Sequence, residues 1–210
     1  MTKTAAPMTS GSIWKQMTFF AMPIFLGNLF QQLYNTVDSL IVGNFLGSSA
    51  LAAVSSSGSL IFMLIGFLSG ISAGAGVIVA RFFGAGDEKN LQRAVHTTVA
   101  FGLVAGVLMT GVGVALSPQI LRWMDTPESV MRESVTYLQI YFAGSLGFVM
   151  YNVLVGILQA VGDSRHPLYY LIVSSVINLV LDLLFITGFH TGVGGAAVAT
   201  VISQIVSAIL

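Results

Sequence analysis

The sequence predicts an all-α integral membrane protein, a bundle of six transmembrane helices. Three observations carry this. Apolar residues make up 55% of the chain and charged residues 8%, against about a quarter charged in soluble domains, and the mean hydropathy is +0.89. The apolar residues gather in six stretches near or above the ~20 residues that cross a hydrocarbon core. Those stretches lack the period-two alternation of barrel strands, which leaves helices.

The polar start, MTKTAAPMTSGSIWKQ, reads as a cytoplasmic lead-in over residues 1–15. The apolar stretch after it is too long for a signal-peptide core. The six-helix domain covers 16–210, with helices at about 17–42, 51–80, 91–116, 135–161, 167–188 and 194–210. Gly43-Asn44-Phe45-Leu46-Gly47 breaks the first two apart, and Gly84-Ala85-Gly86-Asp87 the second and third. Asp125-Thr126-Pro127-Glu128 has the spacing of a capping residue followed three later by Glu, a helix start. His166-Pro167 opens the fifth helix, where proline is tolerated in the first turn. Gly66, Gly70 and Gly74 in the second helix, and Gly102 and Gly106 in the third, form small-residue ladders expected to pack closely. The sixth helix reaches Leu210 without a polar flank, so the chain is expected to be a truncated piece, or half, of a larger protein.

Orientation follows from the basic residues. With the N-terminus inside, Lys3, Lys15, Arg81, Lys89, Arg93 and Arg165 lie on the cytoplasmic side, and only Arg122 and Arg132 lie outside. That bias places both termini in the cytoplasm. Zero net charge and the lack of a basic run exclude nucleic acid as a partner. The chain has no cysteine, which removes disulfides and thiolate metal sites.

Two aspartates, Asp38 and Asp182, lie within apolar stretches that hold no lysine or arginine. A charged side chain at mid-bilayer costs ~2.5–3.5 kcal/mol on insertion scales, so such residues usually mark an ion or proton pathway. Counted from the outer helix ends, Asp38, Asp182 and Thr200 fall at a similar depth at 1.5 Å rise per residue. Asn178 and Asp182 are four apart and share a helix face. Gln31, Tyr34, Asn35 and Asp38 follow the i, i+3, i+4, i+7 pattern of one stripe. Such polar stripes face a cavity or the bundle interior rather than lipid. The competing reading is structural, with these groups joining helices through hydrogen bonds. Pro23 interrupts the first helix about four turns before Asp38, as a static bend or a hinge.

No enzyme site is expected. Gly84-Ala85-Gly86-Asp87 has the Gly-x-Gly-Asp pattern of intramembrane aspartyl proteases, but it lies in a charged loop away from Asp38 and Asp182. Such a protease needs two carboxyls near enough to share a proton. His96, His166 and His190 lie near helix ends, which disfavours a serine protease. The glycines follow no strand, as a nucleotide fingerprint would require.

QQLYNTVDSLIVGNFLG (Gln31 to Gly47) resembles the first helix of the multidrug and toxic compound extrusion (MATE) family. RFFGAGDEKNLQRAV resembles its first cytoplasmic loop, and LQAVGDSRHPLYYLIVSSVINLVLDLLFI and GVGGAAVATVISQ resemble later helices of the same lobe. The resemblance runs from about Ile13 onward. It implies one N-terminal lobe of a twelve-helix transporter in two six-helix lobes, of the DinF-like branch. Such a protein exports cationic or amphipathic drugs by antiport with protons or sodium, from the bacterial or archaeal inner membrane. By the same resemblance Asp38, Asn178, Asp182 and Thr200 match the cation or proton site, including possible sodium. Gln31, Tyr34 and Asn35 are then cavity neighbours and Pro23 the point where the first helix bends. No cofactor is implied beyond the coupling ion. The implied partners are the lipid bilayer, an organic cation or amphipathic drug, and a missing C-terminal lobe or a second copy. Alternatives are a lipid-linked saccharide flippase of the same superfamily, disfavoured by the lack of mid-span basic residues, and a non-transporting membrane scaffold.

Overall fold

The computed structural model describes residues 12–210, so most of the 1–15 lead-in lies outside the described residues. These fold into α1 (Ile13–Leu46), α2 (Ser48–Gly84), α3 (Glu88–Trp123), α4 (Glu128–Ala143), α5 (Ser145–Ala160), α6 (Arg165–Leu183) and α7 (Val193–Ile209), with a π-helical turn at Leu184–Gly188. The α4–α5 pair forms one span bent by 51°. The architecture is therefore a six-span, all-α membrane bundle. α2, α3 and Arg165–Gly188 meet the length and hydropathy of membrane spans outright. α1 has ample length, but Asn28, Gln31, Gln32, Asn35 and Asp38 dilute its apolar character.

Burial runs opposite to that of a soluble domain. Phe62 is 79% exposed while Ser57, Ser117, Ser134 and Ser145 are completely buried. Phenylalanine outside and hydroxyls inside suit a hydrocarbon solvent, in which polar groups must find partners within the protein. Ser56 and Ser134 join α2 to α4 at 3.0 Å, and Thr110 and Ser145 join α3 to α5 at 2.9 Å. Apolar packing fills the space between, with Leu121, Leu138 and Phe142 in one cluster and Leu68, Phe148, Val149 and Val153 in another.

Glycines set the closest approaches. A Cβ at Gly102 would come within 2.9 Å of Val153 Cγ2, and one at Gly106 within 2.7 Å of Leu146 Cδ1, so α3 and α5 pack backbone to side chain there. Gly144 marks the bend between α4 and α5, where any Cβ would collide with Val201 of α7. The Gly66, Gly70 and Gly74 ladder does not pack as its spacing predicts. Its face is open, with nothing among the described residues within 4 Å of a Cβ placed at any of the three. Spacing places small residues on one face and does not supply a neighbour.

Two expectations about helix ends are also corrected. α1 continues as helix through Gly43–Leu46, and Gly47 alone breaks it with φ +89°, a conformation only glycine adopts freely. The Asp125–Glu128 segment makes no side-chain cap. α4 starts behind Pro127, Asp125 turns at φ +52°, and the buried Thr126 hydroxyl finds no partner among the described residues. The side-chain caps lie elsewhere. Asp87 accepts from Asn90 N at 3.1 Å and from Asn90 Nδ2 at 2.7 Å at the start of α3. These bonds, the side-chain one foremost, hold its carboxyl below the usual aspartate range. Asp163 accepts from Arg165 N and His166 N, both at 3.1 Å, ahead of α6, and its second oxygen pairs with His166 Nδ1.

Candidate functional site

α1, α6 and α7 converge around Asp182, which is completely buried, as is Asn178 one turn before it. α7 reaches this point because Gly195, Ala196, Ala197 and Ala199 keep its inner face slim enough to lie within the bundle. The π-helical turn directly after α6 widens the helix just beyond Asp182, a distortion often found at functional sites.

The geometry brings together residues from three helices. The Asp38 and Asp182 carboxyls lie within hydrogen-bonding reach of each other. The amide orientation of Asn178 is set by its surroundings. With its nitrogen toward Asp182, it donates to Oδ2 at 2.7 Å, while its oxygen accepts from Thr200 N at 3.1 Å and Tyr34 OH at 3.3 Å. The Thr200 hydroxyl donates to Ala196 O at 3.0 Å and stands beside the Tyr34 hydroxyl. Tyr137 of α4 is close enough to feel the charge of both carboxyls. No basic side chain among the described residues bears on either.

This pair needs a positive partner. Two carboxylates in contact repel strongly and cannot both stay ionised without a proton or cation between them. Oδ1 of Asp38 and Oδ1 of Asp182 are both buried and receive no hydrogen bond from the described residues. Buried oxygens of this kind call for an explanation, and a shared proton or a small hard cation supplies one. The two free carboxyl oxygens are of the type that hard cations prefer. The site opens into a groove of about 190 Å³ between α1 and α6, flanked by Phe30, Leu33, Val37, Val176 and Leu179.

The other sequence-selected residues fall elsewhere. Asn35 points away, exposed and donating to Gln32 Oε1 at 3.4 Å. Gln31 and Pro23 line a second cavity of about 490 Å³, toward the end of the bundle that carries Arg81 and Arg165. Sequence reasoning missed Tyr137, whose place beside the pair depends on how α4 packs and leaves no local signal. It also missed Ser203 and Ser207, which continue the buried face of Thr200 at i+3 and i+7.

Six spans folded around a polar interior define one lobe of a two-lobe membrane transporter. The chain belongs to the MatE family, the multidrug and toxic compound extrusion transporters, whose signature matches residues 23–184. It is 38% identical over 198 residues to "Probable multidrug resistance protein YoeA" of Bacillus subtilis strain 168, covering 92% of this chain and 43% of that protein. It is 29% identical to "DNA damage-inducible protein F" of Escherichia coli K12, covering 90% and 41%. Among solved structures, "Crystal structure of MATE in the bent conformation" superposes with a TM-score of 0.88 at 29% identity, covering 95% of this chain and 44% of that one. The chain thus spans under half the length of these relatives.

Proposed function

We propose that this chain is the N-terminal lobe of a secondary antiporter that exports cationic and amphipathic compounds in exchange for protons or sodium. The carrying observation is the close approach of Asp38 to Asp182, closed off by Asn178, Thr200 and Tyr34 with no basic residue in reach among the described residues. A structural polar cluster would satisfy its members internally, whereas this one leaves an oxygen of each carboxyl unpaired. One proton or sodium ion cancels one of the pair's two negative charges and relieves the repulsion, and its release restores a second negative charge that a cationic drug can offset.

Transport then needs the pair to exchange between the two sides of the membrane, by rocking of this lobe against its partner lobe. Pro23, inside α1, is the point where that helix can flex. In this reading the end with Arg81, Lys89, Arg93 and Arg165 faces the cytoplasm of a bacterial or archaeal cell, in keeping with the positive-inside bias.

The test is drug efflux from proteoliposomes holding the natural full-length protein, under an imposed proton or sodium gradient, alongside equilibrium drug binding. Asp38→Asn and Asp182→Asn keep size and hydrogen bonding and should abolish gradient-driven efflux while an apolar cavity retains drug affinity. Efflux at the native rate in the double variant would leave the carboxyls as structural groups.

A further inference from the structure

Between α1, α2, α5 and α6 lies the second cavity, of about 490 Å³, on the Arg81 and Arg165 side of the carboxyl pair. α1 and α5 face each other across it without touching, among the described residues. Its lining contains hydrogen-bonding groups, including Asn28, Gln31, Ser72, Tyr151, Asn152 and Gln159, and no charged side chain. Most of the remaining wall is apolar, and these groups give water the hydrogen-bond partners it needs in a cavity of this size.

Two routes of polar groups join this cavity to the carboxyl pair. On α1, Gln31 lines the cavity, and Tyr34, one turn further on, lines the groove of the pair. On α7, the half-buried Thr200 and the buried Ser203 and Ser207 form one inward face that runs from Asn178 down to Tyr151. Tyr151 in turn lines the cavity. Ser207 is 4% exposed, lies beside the Tyr151 hydroxyl, and its oxygen has no hydrogen bond of normal length among the described residues. A buried unpaired hydroxyl between two polar sites is where an ordered water belongs. A hydroxyl stripe used only as helix glue would not leave its last member unpaired beside a cavity.

We propose that this cavity and the α7 hydroxyl stripe form a hydrated conduit inside the lobe, through which the carboxyl pair exchanges its proton with solvent at the Arg81 and Arg165 end. The inference rests on the antiport reading above and adds a route separate from the groove between α1 and α6. The proton leaves a carboxyl oxygen, passes along water and hydroxyl groups, and is released as hydronium in the cavity mouth. Tyr34, Tyr137 and Tyr141 are the other titratable groups around the pair, and neutral phenols can relay a proton without holding charge. Drug can therefore occupy the lobe's outer groove without blocking proton exit.

The experiment uses proteoliposomes of the natural full-length protein. The 210-residue chain has no cysteine, so Asn152→Cys places its one thiol in the cavity wall, with the unsubstituted protein as background. Asp87→Cys, in the turn before α3, marks which vesicle face is the Arg81 end. The probe is the impermeant reagent methanethiosulfonate ethyltrimethylammonium, added to one face at a time. The expected result is labelling of Asn152→Cys from the face that labels Asp87→Cys, and none from the other. Labelling only from the opposite face, or none, overturns the conduit. In a second arm, Ser207→Ala with Tyr151→Phe should slow proton-driven efflux and leave equilibrium drug binding unchanged. Native efflux rates in that pair also overturn it. Both substitutions are conservative, so a folded protein is expected. If Asp38→Asn with Asp182→Asn also leaves efflux intact, the antiport reading fails instead, which separates the two outcomes.

Discussion

The contact between Asp38 and Asp182 sets a stoichiometry that can be measured. On the antiport reading, two neighbouring carboxyls that cannot both stay ionised share one proton, so the pair as a unit should exchange one proton, not two, per cycle. One proton moving down one pH unit supplies ~1.36 kcal/mol. With the membrane potential clamped to zero, that limits drug accumulation to about tenfold per imposed pH unit. Two independently titrating carboxyls would raise the limit to about a hundredfold. Asp38→Asn and Asp182→Asn should each abolish the gradient-driven accumulation completely, because removing either member destroys the shared site. The assay is the steady-state drug ratio in potassium- and valinomycin-clamped proteoliposomes at several pH differences, repeated with sodium differences. A limit near a hundredfold per pH unit would refute the shared proton. Single variants that each keep half of the native response on a logarithmic scale would refute the pair acting as one unit.

Four further outcomes follow from the packing. Asn178→Ala should impair coupling more than Thr200→Ala, since the amide joins Asp182, Thr200 and Tyr34, whereas losing one neutral hydroxyl bond costs ~0.6–1 kcal/mol; comparing gradient-driven efflux in the two variants decides this. Gly144→Ala should lower the melting temperature in detergent, because overpacking against Val201 costs ~1–3 kcal/mol. Gly70→Ala should leave melting unchanged or raise it, since nothing lies within 4 Å and alanine favours helix by ~1 kcal/mol; a large loss would show that this face is covered in the whole protein. Asp163→Ala should cost ~1 kcal/mol as a lost helix cap. Burial works against the Asp163 charge, but hydrogen bonds from His166 outweigh it and hold the carboxyl below its usual range. Its contribution is thus complete at neutral pH and fades in acid as pH falls through the lowered value, so the native-minus-variant difference in melting temperature should shrink only in acid.

The legible part of this protein is what a helix encodes along one dimension. Depth rises linearly along a helix and face repeats about every 3.6 residues, so Asp38, Asn178, Asp182 and Thr200 could be grouped before any packing was known, and they do converge. Asn35 shows the limit of that method. At about 100° per residue, Tyr34 and Asn35 point in quite different directions, and a stripe wide enough to contain both is wider than the face α7 can cover. Tyr34 won the inner position because the Asn178 amide accepts its hydroxyl. The Gly66–Gly74 ladder failed for the converse reason: its periodicity was right, but a face has meaning only through what is set against it.

The features hardest to see are those set by distant parts of the chain. Gly144 bends a span because Val201, far away in sequence, occupies the space where a side chain would go. That bend also leads α5 away to bear Tyr151 and Asn152 into the inner cavity. Ser203 and Ser207 were visible at helical spacing from Thr200, yet hydroxyls in membrane helices commonly bond to their own backbone, as Ser203 does to Thr200 O at 2.8 Å. What sets Ser207 apart from the other α7 hydroxyls is the missing bond among the described residues, a property of three-dimensional packing alone. The carboxyl pair and the α7 stripe therefore differ in kind. The first follows from the cost of charge in lipid, which the sequence displays directly. The second follows from one hydroxyl left without a partner among the described residues, where only packing in three dimensions makes room for water.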